Sequence, residues 1–164
     1  MIDTAEEWIC FVPTKSAWPN AEIYGGLRAA VKIARLLGDE ANAARWDGAA
    51  KALEEDFIAH AYDEGVQSFI PLAGAQGAVF VDPKHPELKG WNGPLRDTRA
   101  DSGMLILARA DLFGQGQSIV APTDARFLKT QARLERELSD GHGGLFRFGV
   151  NPDSPHSPKG EEIC

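Results

Sequence analysis

Cysteine is scarce in this chain: Cys10 and Cys164 stand at opposite ends of 164 residues. No Cys-x-x-Cys pair and no Cys/His zinc spacing can be built from them, so a disulfide framework and a structural metal site are both excluded, and free thiols in a reducing compartment are expected. Long hydrophobic runs are missing too. A bilayer-spanning helix needs about 18 or more consecutive apolar residues, and none occurs, so no membrane partner is expected. Positive charge is in deficit, with 17 Lys and Arg against 24 Asp and Glu and a formal net charge of −7. Binding to a phosphate backbone needs clustered basic side chains, so nucleic acid is not an expected partner. The N-terminus carries Asp3, Glu6 and Glu7 where a secretory leader would be basic and then apolar, and the chain reads as cytoplasmic.

What is present is an average globular composition, 43% hydrophobic and 25% charged, in a length typical of one domain. From Asn20 to Leu37 the residues Ile23, Leu27, Ala30, Ala34 and Leu37 recur at helical spacing, and Ile33 and Leu36 widen the apolar stripe. Pro19 suits the start of this helix. Gly38 supplies a left-handed stop, and Asp39 an N-cap for a second helix over about Glu40 to Tyr62. That helix places Trp46, Ala50, Leu53, Phe57 and Ala61 on one face and Lys51, Glu54 and Glu55 elsewhere. So short a turn makes the two helices antiparallel. The wide stripe on the first predicts apolar surface left uncovered by four helices alone.

Between Asp63 and Ala100, Pro71, Pro83, Pro86 and Pro94 rule out a long helix, while "VQSFI" and "AVFV" are suited to short strands. A third helix is expected from about Asp101, carried by "MLILARADLF". A fourth follows Pro122, Thr123 and Asp124, with Phe127, Leu134 and Leu138 on one stripe and Asp140-Gly141 at its end. "GGLFRFGV" reads as a short strand and "NPDSPHSPKG" as a proline-rich loop.

Chemistry is sparse in the middle of the chain. Asp140, His142, Ser154 and His156 gather Ser, His and Asp, yet no G-x-S-x-G elbow is present and a hydrolase triad is not expected. "GHGGL" lacks the lysine of a phosphate loop and reads as a turn, and His85, His142 and His156 have no helical i,i+4 partner for a metal. No cofactor is expected. The adjacent Glu6 and Glu7 beside Trp8 are the more pointed feature. Adjacent glutamates near a terminus are usually solvated charge. An indole against a carboxyl, however, removes water from it and favours the protonated form, which suits a general acid, and a second carboxylate can hold a sugar hydroxyl.

The order of residues points the same way. "DTAEEW", then "PTKSAW", then "AEIYGGLRAAVKIARLLGDEANAARW" resembles the glucoamylase-type enzymes, family fifteen of the glycoside hydrolases. In that family an acidic Trp-Glu-Glu motif leads into a helix of pattern G-L-x-A-A-x-x-I-A, then G-D and A-x-x-W. "LERELSDGHGGLFRF" and "PKGEEIC" resemble a later segment of bacterial members, whereas about Gly65 to Pro94 matches only loosely. This chain has Ala5 where the family has tryptophan before the acidic pair, which removes a stacking surface.

The resemblance implies an all-α fold that is part of an (α/α)6 toroid, with long loops and short β segments. Residues 1–164 would form a partial catalytic domain, truncated at both ends, with the remainder of the barrel missing. It implies an inverting exo-acting hydrolase of oligosaccharides or disaccharides with a terminal glucose. Glu6 would be the general acid, and Asp3, Glu7, Trp8 and Arg147 would bind substrate. The general base would lie beyond Cys164, leaving this chain alone inactive or nearly so. A rival expectation is a helical-hairpin interaction module without catalysis, since Gly25, Gly26, Ala29 and Ala30 also suit packed helical hairpins. The irregular stretch from Gly65 to Ala100 breaks any 34-residue helical period.

Overall fold

The computed structural model describes residues 14–75, 98–108 and 118–146. These are mostly helical, in keeping with an all-α class, and the chain order runs from sheet edge to helical hairpin and back. Strand β1 (Thr14–Ser16) leads directly into helix α1 (Ala17–Leu36), and α2 (Glu40–Ala61) follows. Strands β2 (Tyr62–Asp63), β3 (Ser68–Phe69) and β4 (Leu72–Ala75) come next, then a 3-10 helix over Ser102–Ala108, and finally α3 (Ala125–Leu138).

The turn between α1 and α2 forms as its residue types require. Gly38 adopts φ +74°, a region that costs an L side chain about 1–2 kcal/mol. Its N–H donates to Arg35 O at 3.1 Å, and the Asp39 N–H donates to Ala34 O at 2.9 Å. This pair of bonds is a Schellman motif, which satisfies two carbonyls that the helix end would otherwise strand. Asp39 then caps α2 by accepting from the Asn42 N–H at 3.1 Å. Pro19 falls in the first turn of α1, three residues after the N-cap Ser16, where a missing N–H removes no helical bond.

Side chains that link the hairpin fix its direction. Tyr24 Oη donates to Glu54 Oε2 at 3.2 Å, and Arg28 pairs with Asp47. Ascending positions on α1 thus meet descending ones on α2, so the helices are antiparallel. Ala17, Ala21, Tyr24, Val31 and Ala34 are the apolar residues that α1 buries. The expected stripe holds in part: Ala34 is buried and Ile23 and Leu27, partly buried, pack against the core, whereas Leu37 does not. Ile33, Leu36 and Leu37 are exposed by 57%, 86% and 78%. Alanines, Tyr24 and Val31 let α1 approach its neighbours closely, and Ile33, Leu36 and Leu37 face outwards. The apolar surface expected to remain uncovered is this one.

On α2, Ala43, Ala50, Leu53, Phe57 and Ala61 are buried. Trp46 is half-buried instead of fully inside, with the Arg45 guanidinium 5.7 Å from its ring centre. At the far end of α2 an aromatic trio forms part of the core. Phe57 stacks on Phe69 with centroids 5.9 Å apart, and Tyr62 meets Phe69 edge-on at 5.2 Å. A phenyl ring moved from water to such a site contributes about 1.5–3 kcal/mol.

Phe69 reaches that trio because β2 and β3 make a tight antiparallel hairpin, with Tyr62 opposite Phe69 and Asp63 opposite Ser68. Asp63 Oδ1 accepts from the Gly65 and Val66 N–H groups at 2.8 and 3.1 Å, and this closes the turn. The expected strand in "VQSFI" is therefore present, reduced to Ser68–Phe69. The other, in "AVFV", lies outside the described residues.

Helix α3 closes the core from the opposite side with Phe127, Leu134 and Leu138, the stripe read from sequence. Asp124 caps it, accepting from the Arg126 N–H at 2.8 Å, while the Arg126 side chain grips both carboxylate oxygens at 3.0 and 2.6 Å. The third expected helix needs correction. Over Ser102–Ala108 it is a 3-10 helix, in which Met104, Leu107 and Ala108 are buried. Its tighter winding brings residues three apart into line, and Leu107 O accepts from Val120 N at 3.1 Å. Continuation through "RADLF" falls outside the described residues. No helix among the described residues is long and apolar enough to cross a membrane.

Candidate active site

The residues assigned to sugar chemistry sit at two places in the chain, one just before β1 and one just after the loop that follows α3. Asp3, Glu6, Glu7, Trp8 and Arg147 all lie outside the described residues, as do His85, Ser154 and His156. What the structure does place is the framework on either side of them.

β1 is the first described element after the acidic segment in the chain. It pairs antiparallel with β4, Thr14 opposite Ala75 and Ser16 opposite Leu72, with an irregularity between the two. The Ala17 N–H donates to Pro71 O at 2.9 Å. Beneath it, fully buried Asn20 donates from Nδ2 to Ser16 O at 2.7 Å. The start of α1 is thereby held by a segment about 55–60 positions later.

Towards Arg147 the described residues run to Phe146. Its N–H donates to Leu138 O at 2.8 Å, and Leu145 forms a bridge with Ser139. Between them "DGHGG" is a turn, as expected. Asp140 Oδ1 accepts from the N–H groups of His142 and Gly144 at 2.7 and 2.9 Å, with Gly141 and Gly143 at φ +76° and +98°. These two N–H groups hold the Asp140 carboxyl below the usual carboxylate range. Asp140 thus braces backbone, and His142 contributes its own N–H to that brace, not a ring contact. "GGLFRFGV" shows a single bridge within its described part and no ladder.

Four carboxyls on or capping the described helices are held in the ionised form. Asp47 is lowered by a hydrogen bond from Lys51 and then by Arg28. The bond from the Arg126 side chain lowers Asp124. Glu137 is pushed up by partial burial, but the bonds from Arg133 and Arg136 prevail and its net shift is downwards. The Asn42 side chain and N–H lower Asp39. A general acid near neutrality needs the opposite displacement. Asp39, Asp47, Asp124 and Glu137 are thus all displaced away from proton donation. No group of three or more His, Cys, Asp or Glu among the described residues could hold a metal ion.

Three polar features were not singled out from the sequence. Thr130, fully buried on α3, accepts from the Phe69 N–H at 2.9 Å and donates to Arg126 O at 2.9 Å. Arg133 is buried, bonding Thr98 O at 2.8 Å and Glu137 at 3.0 Å, while its Nη1 and the hydroxyl of Tyr62 are buried without a partner. Only the Arg133–Glu137 spacing of four residues is visible in sequence as a helical pair. The Phe69–Thr130 and Thr98–Arg133 contacts join segments 61 and 35 positions apart.

No protein-family model, no curated protein and no solved structure matches the chain.

Proposed function

We propose that this chain is part of the catalytic domain of an inverting, exo-acting α-glucoside hydrolase of glucoamylase or trehalase type, with Glu6 as general acid. The observation that carries the reading is the α1–α2 hairpin. The segment in which the glucoamylase-like pattern is densest folds as two antiparallel helices. Its G-L-x-A-A-x-x-I-A portion lies on α1, and its G-D pair forms the turn. Glu6 would protonate the glycosidic oxygen as the bond breaks. Asp3, Glu7, Trp8 and Arg147 would hold the terminal glucose by hydroxyl bonds and ring stacking. Inversion requires a second carboxylate about 6.5–9.5 Å from the first, with room for the attacking water. The resemblance assigns that base to no residue of this chain, so the isolated polypeptide binds sugar without turning it over.

Two measurements on the 164-residue polypeptide test this. In saturation-transfer NMR, maltose or trehalose should bind, and Arg147→Ala and Glu7→Gln should each weaken the signal. Absence of binding at millimolar sugar sinks the proposal. In a reducing-sugar assay no turnover is expected. Turnover that Glu6→Gln abolishes would refute inactivity while supporting the acid role, and turnover indifferent to Glu6→Gln would remove Glu6 from that role.

A second reading, a helical-hairpin interaction module without catalysis, is favoured by one observation, the exposed Ile33, Leu36 and Leu37 at the end of α1. Exposed apolar groups clustered in this way commonly mark contact surfaces. The sugar-binding measurement separates the two readings.

A further inference from the structure

No further inference is drawn: the strongest candidate, the apolar patch of Ile33, Leu36 and Leu37 where α1 runs into its turn, carries nothing because nothing in the structure shows what covers it.

Discussion

Replacing Thr130 by valine isolates one hydrogen bond at the centre of the fold. The side chains have nearly the same shape, so packing is kept while the hydroxyl is lost. The Phe69 N–H, which donates to Thr130 Oγ1 at 2.9 Å inside the core, is then left without a partner. A buried donor stripped of its acceptor costs about 1–3 kcal/mol. Arg126 O also loses the Thr130 hydroxyl, but a carbonyl inside α3 keeps its helical bond and adds little. Thr130→Ser supplies the control: it keeps the bond and deletes one methyl, costing about 0.8 kcal/mol. For a chain of this size each kcal/mol lowers the melting temperature by about 2–4 °C. The valine variant should therefore melt roughly 2–12 °C below the parent and, by urea titration with an unchanged slope, should be the less stable of the two. Valine equal to the parent, or more stable than serine, would show that the Thr130 bond does not tie β3 to α3.

Phe57→Ala should lose about 3–5 kcal/mol in urea unfolding, because it empties a fully buried site stacked on Phe69; a loss below 1 kcal/mol would place the core elsewhere. Two glycines with open space around an added methyl should respond with opposite signs. Gly38→Ala costs about 1–2 kcal/mol because its φ is +74°, whereas Gly48→Ala, inside α2, gains about 0.5–1 kcal/mol; the same sign for both in thermal melts would contradict the backbone assignment. The lowered carboxyls set the acid response. Asp124 and Glu137 bind protons less readily folded than unfolded, so their contribution is complete above the unfolded values near pH 4 and is lost as pH falls through and below them. Urea midpoints should be level from pH 7 to 5 and fall towards pH 3, the fall being shallower in Asp124→Asn; a midpoint constant to pH 3 would contradict this.

Local chemistry was the most legible part of this chain. Gly38 and Asp39 announce a stop and a start because each satisfies backbone groups within four residues, and the structure uses both so. The α3 stripe was readable because a strongly amphipathic helix with one buried face has only one way to lie. The α1 stripe was legible in part: of Ile23, Leu27, Ala30, Ala34 and Leu37 the structure buries Ala34 and half-buries Ile23 and Leu27, while Tyr24 and Val31, off that stripe, go inside and Leu37 stays out. The "MLILARADLF" run shows the limit of periodicity in a short apolar segment. Its composition suits an α-helix, but Asp101 Oδ1 accepts from the Gly103 N–H at 2.7 Å and starts a tighter winding. Thr130 was invisible because its partner lies 61 positions away. For the acidic doublet, the sequence offers residue types and an order, and the described residues supply only the strand that follows it.

The strand β1 has one more implication. It meets β4 with Thr14 opposite Ala75, and the Thr130–Phe69 bond spans the same number of positions. Closing a loop of about 60 residues forfeits roughly 2–3 kcal/mol more chain entropy than closing the short turn at Gly38. The two long helices are thus the inexpensive part of the fold to assemble, and the β1–β4 fastening, whose loop contains both, draws on their rigidity. A lesion in the helical pair would loosen the β1–β4 clasp, whereas opening that clasp leaves the pair its own packing.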